Sequence, residues 1–173
     1  VLFRSHSESP EIYFTHTAGL RVVACSNPLD AFTMIQQAVR CDDPVIFFEP
    51  KRRYWDKAAV DLAAPAESWT PLHAARVVQP GHDVTVLAYG PMVKTCLEAA
   101  AAALEEGRSL EVIDLRSLNP LDIDALTASV QRTGRCVVVH EAPVFSGYGA
   151  ELAARLTERC FYHLQAPVLR VGG

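Results

Sequence analysis

The chain has 173 residues, of which 50% are hydrophobic and 21% are charged, which is usual for a globular protein. Its net charge of -4 creates no positive field, so neither nucleic acid nor an anionic membrane surface is expected as a partner. The apolar runs are too short to span a bilayer, and the five cysteines are widely spaced without a Cys-x-x-Cys pair. These features predict a cytoplasmic protein with reduced, mostly buried thiols.

The first part of the chain predicts a strand, a helix and a second strand. Arg21–Cys25 has the apolar, β-branched composition of a short buried strand. Asn27 or Ser26 can cap the following helix, in which apolar residues recur at spacings of three and four. Val45–Phe48 is a continuous apolar run, which is typical of a parallel strand covered on both faces.

The periodicity then disappears over residues 51–73, and this loss predicts a linker between two domains. The basic run Lys51–Arg53 is interleaved with the aromatic residues Tyr54 and Trp55. Two interpretations stay open for this run, namely a solvated face of the linker and a contact with another subunit.

Strands and helices alternate again in the last hundred residues. The predicted strands are Val84–Tyr89, Leu110–Leu115, Cys136–His140 and Val168–Val171, and the predicted helices are Gly90–Glu106, Asp122–Gly134 and Ala150–Leu164. Such alternation with short connections implies an α/β fold with a mostly parallel sheet and helices on both faces. Residues 74–173 should therefore form a compact domain that folds by itself.

Both ends of the chain read as those of a fragment. Residues 6–50 contain too few elements to cover their own apolar surface, so we expect them to be the tail of a larger domain. Val1–Ser5 matches the translation of a common sequencing adapter and is set aside as a probable scar.

The general catalytic motifs are missing or incomplete. Gly147-Tyr148-Gly149 precedes a helix, but Leu152 occupies the third glycine position of a dinucleotide fingerprint, so nucleotide binding is not expected there. The six histidines lack the spacing of a zinc site. His140-Glu141 lies at the carboxyl end of a predicted strand. One interpretation is a pair that faces an interface or a substrate. The interpretation that we favour is a histidine satisfied by hydrogen bonds to the main chain.

Several segments in the same order resemble one protein family. His6–Val23, with the sequence HSESPEIYFTHTAGLRVV, resembles a segment of the β subunit of the thiamine-diphosphate-dependent first component of 2-oxo acid dehydrogenase complexes. The later segments NPLDAFTMIQQAVRCDDPVIFFEPKRRY, DVTVLAYGPMVKTCLEAA, LEVIDLRSLNPLD, TGRCVVVHEAP and GYGAELAARL resemble its successive elements. The resemblance implies the end of a pyrimidine-binding domain over residues 6–50. A linker over residues 51–73 would follow, and then a three-layer domain of the transketolase C-terminal type over residues 74–173.

The implied activity is the oxidative decarboxylation of a 2-oxo acid followed by acyl transfer to a lipoyl group. The segment EPKRRYWDK is most similar to branched-chain members, and pyruvate and acetoin dehydrogenases are the alternatives. The resemblance implies an α2β2 assembly of an α subunit and a second β subunit, which works with a lipoyl acyltransferase. As it stands, the fragment would be inactive and would serve only as a subunit-contact and docking module.

The resemblance also implies the site residues. His6 matches the active-site histidine of the family, which orients the substrate or exchanges a proton with a lipoyl sulfur. No residue of this chain is expected to bind thiamine diphosphate, because the α subunit and an upstream glutamate hold the cofactor and its Mg²⁺. The positions that correspond to a structural K⁺ site in some members are Ala38, Val39, Cys41 and Asp43.

Overall fold

A computed structural model describes residues 9–173 of the chain. The helices are α1 (Glu11–Thr15), α2 (Pro28–Val39), α3 (Met92–Glu105), α4 (Ile123–Thr133) and α5 (Tyr148–Cys160). The strands are β1 (Arg21–Ala24), β2 (Val45–Phe48), β3 (Arg76–Gln79), β4 (Val84–Ala88), β5 (Leu110–Asp114), β6 (Ser117–Asn119), β7 (Cys136–Val139) and β8 (Leu169–Val171). Two short 3₁₀ helices, Lys51–Arg53 and Ala66–Ser68, interrupt the predicted linker.

These strands form two sheets. The smaller sheet has the order β2-β1-β6, and the larger has the order β3-β5-β4-β7-β8. In the larger sheet β4 runs parallel to β5 and β7, and β7 runs parallel to β8, whereas β3 is antiparallel to β5. The mostly parallel α/β architecture that the sequence predicts is therefore confirmed.

The capping residues confirm three predicted helix boundaries. The Asn27 side chain accepts a hydrogen bond from the backbone N–H of Asp30 and begins α2, and Asp122 caps α4 in the same way. Gly134 ends α4 with φ of 70°, a left-handed conformation that glycine adopts without a steric penalty. The helix predicted at Ala150–Leu164 is shifted toward the N-terminus, since α5 begins at Tyr148 and ends at Cys160.

Three short elements were not predicted from the sequence. Helix α1 has five residues and no side-chain cap, so it lacks the usual local signals. Strands β3 and β6 are four and three residues long, and each pairs antiparallel with a strand distant in sequence. Because β6 joins the smaller sheet, hydrogen bonding crosses the expected boundary at residue 74, and the independent folding of residues 74–173 stays a prediction.

The hydrophobic core also includes both parts of the chain. Val22 and Ala24 of the smaller sheet belong to the same buried cluster as Leu87, Ile113 and residues of α4 and α5. Four of the five free cysteines are buried, which agrees with the expected reduced thiols. Within residues 9–173, no helix combines the length and hydropathy needed to cross a bilayer.

Arg116 connects the parts of the chain at the junction of the sheets. Its side chain is completely buried, and its Nε donates to the Asp30 carboxylate on α2 at 3.2 Å. One terminal nitrogen donates to the carbonyl oxygens of Pro71 and Ala74 at 2.9 and 2.8 Å. A single guanidinium therefore joins the first helical unit, the end of the linker and the turn between β5 and β6.

Asp114 lies beside this ion pair and is fully buried. Its carboxylate accepts hydrogen bonds from the Ser26 hydroxyl and from the backbone N–H of Arg116. Burial raises the pKa of Asp114 to about 7 and outweighs the lowering effect of the Ser26 hydrogen bond. Asp30 raises the pKa further, whereas Arg76 lowers it.

Asp114 should make folding stability depend on pH. An unfolded Asp114 has the ordinary pKa of 3.8, so between about pH 4 and pH 7 the folded state binds more protons than the unfolded state. The contribution of Asp114 to the free energy of unfolding therefore falls as the pH rises through this range. We expect Asp114→Asn, which cannot ionise, to become more stable relative to the wild type between pH 5 and pH 8.

Urea unfolding across this pH range measures the difference. Asp42→Asn is the matched control, because Asp42 is exposed, and this variant should follow the wild-type pH dependence. If the Asp114→Asn and wild-type curves stayed parallel at every pH, the elevated pKa would be wrong.

Candidate functional site

The carboxyl ends of strands from both sheets meet at a cleft of about 560 Å³. In open α/β sheets this edge is where ligands usually bind. The cleft residues that bear on its chemistry are Glu11, Ala24, Phe48, Glu49, Tyr89 and Glu141. This cavity, which we call the inter-sheet cleft, is the candidate functional site of residues 9–173.

Helix α1 forms one wall of the inter-sheet cleft. Ile12 and Phe14 of this helix pack against the core cluster that contains both sheets. The Phe14 ring meets the Phe48 ring edge to face, with 5.8 Å between their centroids. This apolar contact orients α1 so that Glu11 lines the cleft. The expected active-site residue His6 lies outside the described residues, and its role stays a prediction.

The rim of the cleft carries charges of both signs. Arg52 forms an ion pair with Glu141 at 2.6 Å, and the Tyr54 hydroxyl donates to Glu49 at 2.9 Å. Burial raises the pKa of the Glu11 carboxyl, and the nearby charge of Glu141 raises it further. Burial of Glu11 in the cleft therefore disfavours the charged form of its carboxyl group.

Arg53, in the predicted linker, makes a contact that the sequence did not indicate. Its side chain is only 13% exposed, and it donates to the carbonyl oxygen of Pro91 at 2.7 Å. Arg53 thus fastens the linker to the loop before α3, whereas Trp55 is 90% exposed. The two interpretations of the run around Trp55, a solvated face of the linker and a contact with another subunit, both stay open.

His140 is buried and its Nδ1 bonds to the main chain, as the favoured interpretation expects, whereas its buried Nε2 has no hydrogen-bond partner within residues 9–173. His140 is 2% exposed, and its Nδ1 lies 2.9 Å from the carbonyl oxygen of Ala142, which requires a proton on Nδ1. Burial lowers the pKa of His140, so the ring is neutral at pH 7. The ring also stacks on Tyr89 with 6.3 Å between the centroids.

Close packing explains the two glycines of Gly147-Tyr148-Gly149. A Cβ atom on Gly149 would lie 2.5 Å from Nε2 of His140, and one on Gly147 would lie 2.2 Å from the carbonyl oxygen of Pro143. Both distances are far shorter than van der Waals contact. These glycines therefore let α5 approach β7 and the loop after it. Packing accounts for both glycines without a bound phosphate.

The packing of Gly149 leads to a stability prediction. Gly149→Ala should lower the free energy of unfolding by about 1–3 kcal/mol, because the new methyl group overpacks the space held by the His140 ring. Chemical denaturation of the variant measures the loss.

A double-mutant cycle provides the control for this effect. His140→Ala removes the imidazole, so Gly149→Ala should lower the free energy of unfolding by less in the His140→Ala background than in the wild type. Equal losses with and without His140 would show that the clash is not with this ring.

The expected K⁺ positions lie at the end of α2. The carbonyl oxygen of Ala38 accepts from the backbone N–H groups of Arg40 and Cys41, and Val39 is 80% exposed. The Asp43 carboxylate pairs with Arg21 at 2.7 Å. Within residues 9–173, no group of three or more histidine, cysteine and acidic side chains is arranged for a metal. A site built from main-chain oxygens is not tested by that observation and stays a prediction.

Comparison with known families identifies both parts of the chain. The family described as "Transketolase, C-terminal domain" matches residues 73–173, and "Transketolase, pyrimidine binding domain" matches residues 4–56. The chain belongs to the transketolase C-terminal domain family, with a match to the pyrimidine-binding domain ahead of it.

The relatives are β subunits of 2-oxo acid dehydrogenases. The chain is 56% identical over 168 residues to "Pyruvate dehydrogenase E1 component subunit beta" of Leifsonia xyli subsp. xyli, which covers 97% of the chain and 49% of that protein. It is 53% identical over 169 residues to "3-methyl-2-oxobutanoate dehydrogenase subunit beta" of Mycobacterium tuberculosis, covering 97% of the chain and 48% of the relative. The expected family resemblance is confirmed, and the chain spans about half the length of these relatives.

A solved structure supports the fold. The chain aligns with a structure titled "Split gene transketolase, inactive beta4 tetramer" with a TM-score of 0.72 and 25% sequence identity. The alignment covers 94% of this chain and 51% of the other. The expected combination of pyrimidine-binding and C-terminal transketolase-type domains is thereby confirmed as the fold class.

Proposed function

We propose that the protein containing this chain is the β subunit of a 2-oxo acid dehydrogenase. With an α subunit it would decarboxylate a 2-oxo acid oxidatively and transfer the acyl group to a lipoyl group of an acyltransferase. The observation that carries the proposal is the 53–56% identity, over 97% of the chain, to β subunits of two such dehydrogenases. A cytoplasmic location belongs to the same proposal and is supported by the five free cysteines.

A branched-chain 2-oxo acid is the substrate we favour. The segment EPKRRYWDK supports this choice, and so does the similarity to 3-methyl-2-oxobutanoate and 2-oxoisovalerate dehydrogenase β subunits. Pyruvate is the second candidate because of the 56% identity to a pyruvate dehydrogenase subunit. An assay that offers 3-methyl-2-oxobutanoate, pyruvate and acetoin to the same enzyme compares the candidates directly.

The described residues do not by themselves fit a site for thiamine diphosphate and Mg²⁺. Residues 9–173 contain no cluster of metal-ligating side chains, and the space beside Gly147 and Gly149 at the start of α5 is occupied by Pro143 and His140. We therefore propose that the α subunit and the upstream part of the β subunit hold the cofactor. The contribution of this chain would be subunit contact, docking and the placement of His6.

His6 is proposed to orient the substrate or to exchange a proton with the lipoyl sulfur. In the full-length enzyme with its α subunit, His6→Ala should lower lipoyl-dependent turnover by about a hundredfold or more, as expected for a lost acid–base group. The melting temperature should stay unchanged. Steady-state kinetics with a lipoylated acyltransferase measure this effect.

His82→Ala is the matched control for this prediction. His82 is 77% exposed and lies in the turn before β4, away from the carboxyl ends of the strands. It should retain wild-type turnover. If His6→Ala were fully active in the same assay, the proposed role of His6 would be rejected.

We also propose a K⁺ ion at the end of α2, held chiefly by carbonyl oxygens of Ala38, Val39, Cys41 and Asp43. The helix dipole favours a cation at this end of α2. An ion that binds only the folded state raises the melting temperature. The full-length protein should therefore melt at a higher temperature in K⁺ than in tetramethylammonium at equal ionic strength, and equal midpoints would contradict the site.

A further inference from the structure

Two polar groups of the inter-sheet cleft are buried without partners. Oε2 of Glu11 and the hydroxyl oxygen of Tyr89 are both inaccessible to solvent, and neither has a hydrogen-bond partner within residues 9–173. Tyr89 is 3% exposed, and both residues line the same cavity. Leaving a buried polar group without a partner destabilises the folded state, so this pair requires an explanation.

Acidic groups raise the pKa of both members of this pair, although Lys51 and Arg52 also line the cleft. After burial, the contributions that raise the pKa of Tyr89 come from Glu11, Tyr148 and Glu141, and Glu11 and Glu141 line the same cavity as Tyr89. Glu141 also raises the pKa of Glu11. The nearby Arg52 is paired with Glu141 at 2.6 Å, and a hydrogen bond from the backbone of Glu11 offsets part of the rise in the pKa of its carboxyl group. Glu11 is partly buried, and a partly buried carboxylate without a paired cation is costly to ionise.

We propose that the inter-sheet cleft binds a primary ammonium group. The ammonium would donate to Oε2 of Glu11 and to the Tyr89 hydroxyl oxygen, which supplies acceptors for two of its three N–H groups. The apolar side chains of Ala24, Phe48 and Pro91, which line the same cavity, would contact the alkyl part of the ligand. A cavity of about 560 Å³ has room for a group of this size.

The ammonium group has two possible sources. One is a free alkyl amine that enters from solvent, and the other is a lysine side chain from polypeptide outside this chain. Both present the same chemistry to Glu11 and Tyr89. The proposal does not depend on the dehydrogenase activity, and its test measures binding without turnover.

Titration of this chain with n-butylammonium chloride, followed by ligand-observed NMR, tests the site. We expect saturable binding to the wild type, and at least about tenfold weaker binding to Glu11→Gln, since one partner of a buried charge pair is then removed. Tyr89→Phe, which deletes only the unpartnered hydroxyl, should also bind more weakly. Neutral n-butanol should not compete, and Glu98→Gln on the exposed face of α3 should bind as the wild type does.

The pH dependence gives an independent readout. Binding of a cation requires the ionised form of Glu11, so the affinity should rise as the pH rises through its elevated pKa. The charged groups that face the cleft are Glu49, Lys51, Arg52 and Glu141. All four remain in Glu11→Gln, so a flat pH profile in that variant would assign the titration to Glu11.

The same titration on the full-length protein with its α subunit separates the two sources. Binding in both forms supports a free amine, and binding only to this chain supports a lysine that occupies the cleft in the assembly. Three results would overturn the proposal: no saturable binding to the wild-type chain, equal affinity for Glu11→Gln, and equal binding of n-butanol. Circular dichroism of each variant establishes that it is folded before the titration.

Discussion

The buried ion pair between Arg116 and Asp30 is the constraint on which the rest of the structure depends. A guanidinium without access to water is stable only when its donors are satisfied, and Arg116 meets this condition with one carboxylate and several carbonyl groups of residues 70–74. These partners come from α2 and from the end of the linker. The position of the first helical unit against the larger sheet is therefore determined by the hydrogen-bond requirements of one side chain.

This junction also determines the candidate site. The inter-sheet cleft has walls from β1 and β2 on one side and from the ends of β4 and β7 on the other. Strand β6 pairs with β1 directly after the turn that contains Arg116, so the two sheets cannot move apart without breaking a strand pair and a buried ion pair. The charged and unpartnered groups of the cleft are consequently held at fixed separations, which favours specific binding over a flexible surface.

The region after β7 shows how the same residue types can serve packing or chemistry. His140 and the glycines of Gly147-Tyr148-Gly149 stand where α/β proteins often bind ligands, but the glycines leave space for the His140 ring, and Nδ1 of that ring donates to the carbonyl oxygen of Ala142. The neighbouring Glu141 instead reaches the cleft and pairs with Arg52.

The sequence by itself determined the alternation of strands and helices, the Asn27 and Asp122 caps, the stop at Gly134 and the family. These features depend on neighbours within a few residues or on similarity along the chain, so they can be recognised without a fold. Only the tertiary structure decided that β3 and β6 exist, that Arg116 is buried and that Glu11 and Tyr89 line one cleft. Each of these depends on residues that are tens of positions apart, for example 86 between Asp30 and Arg116. Local propensity carries no information about such pairs, because their stability comes from burial and from long-range hydrogen bonds.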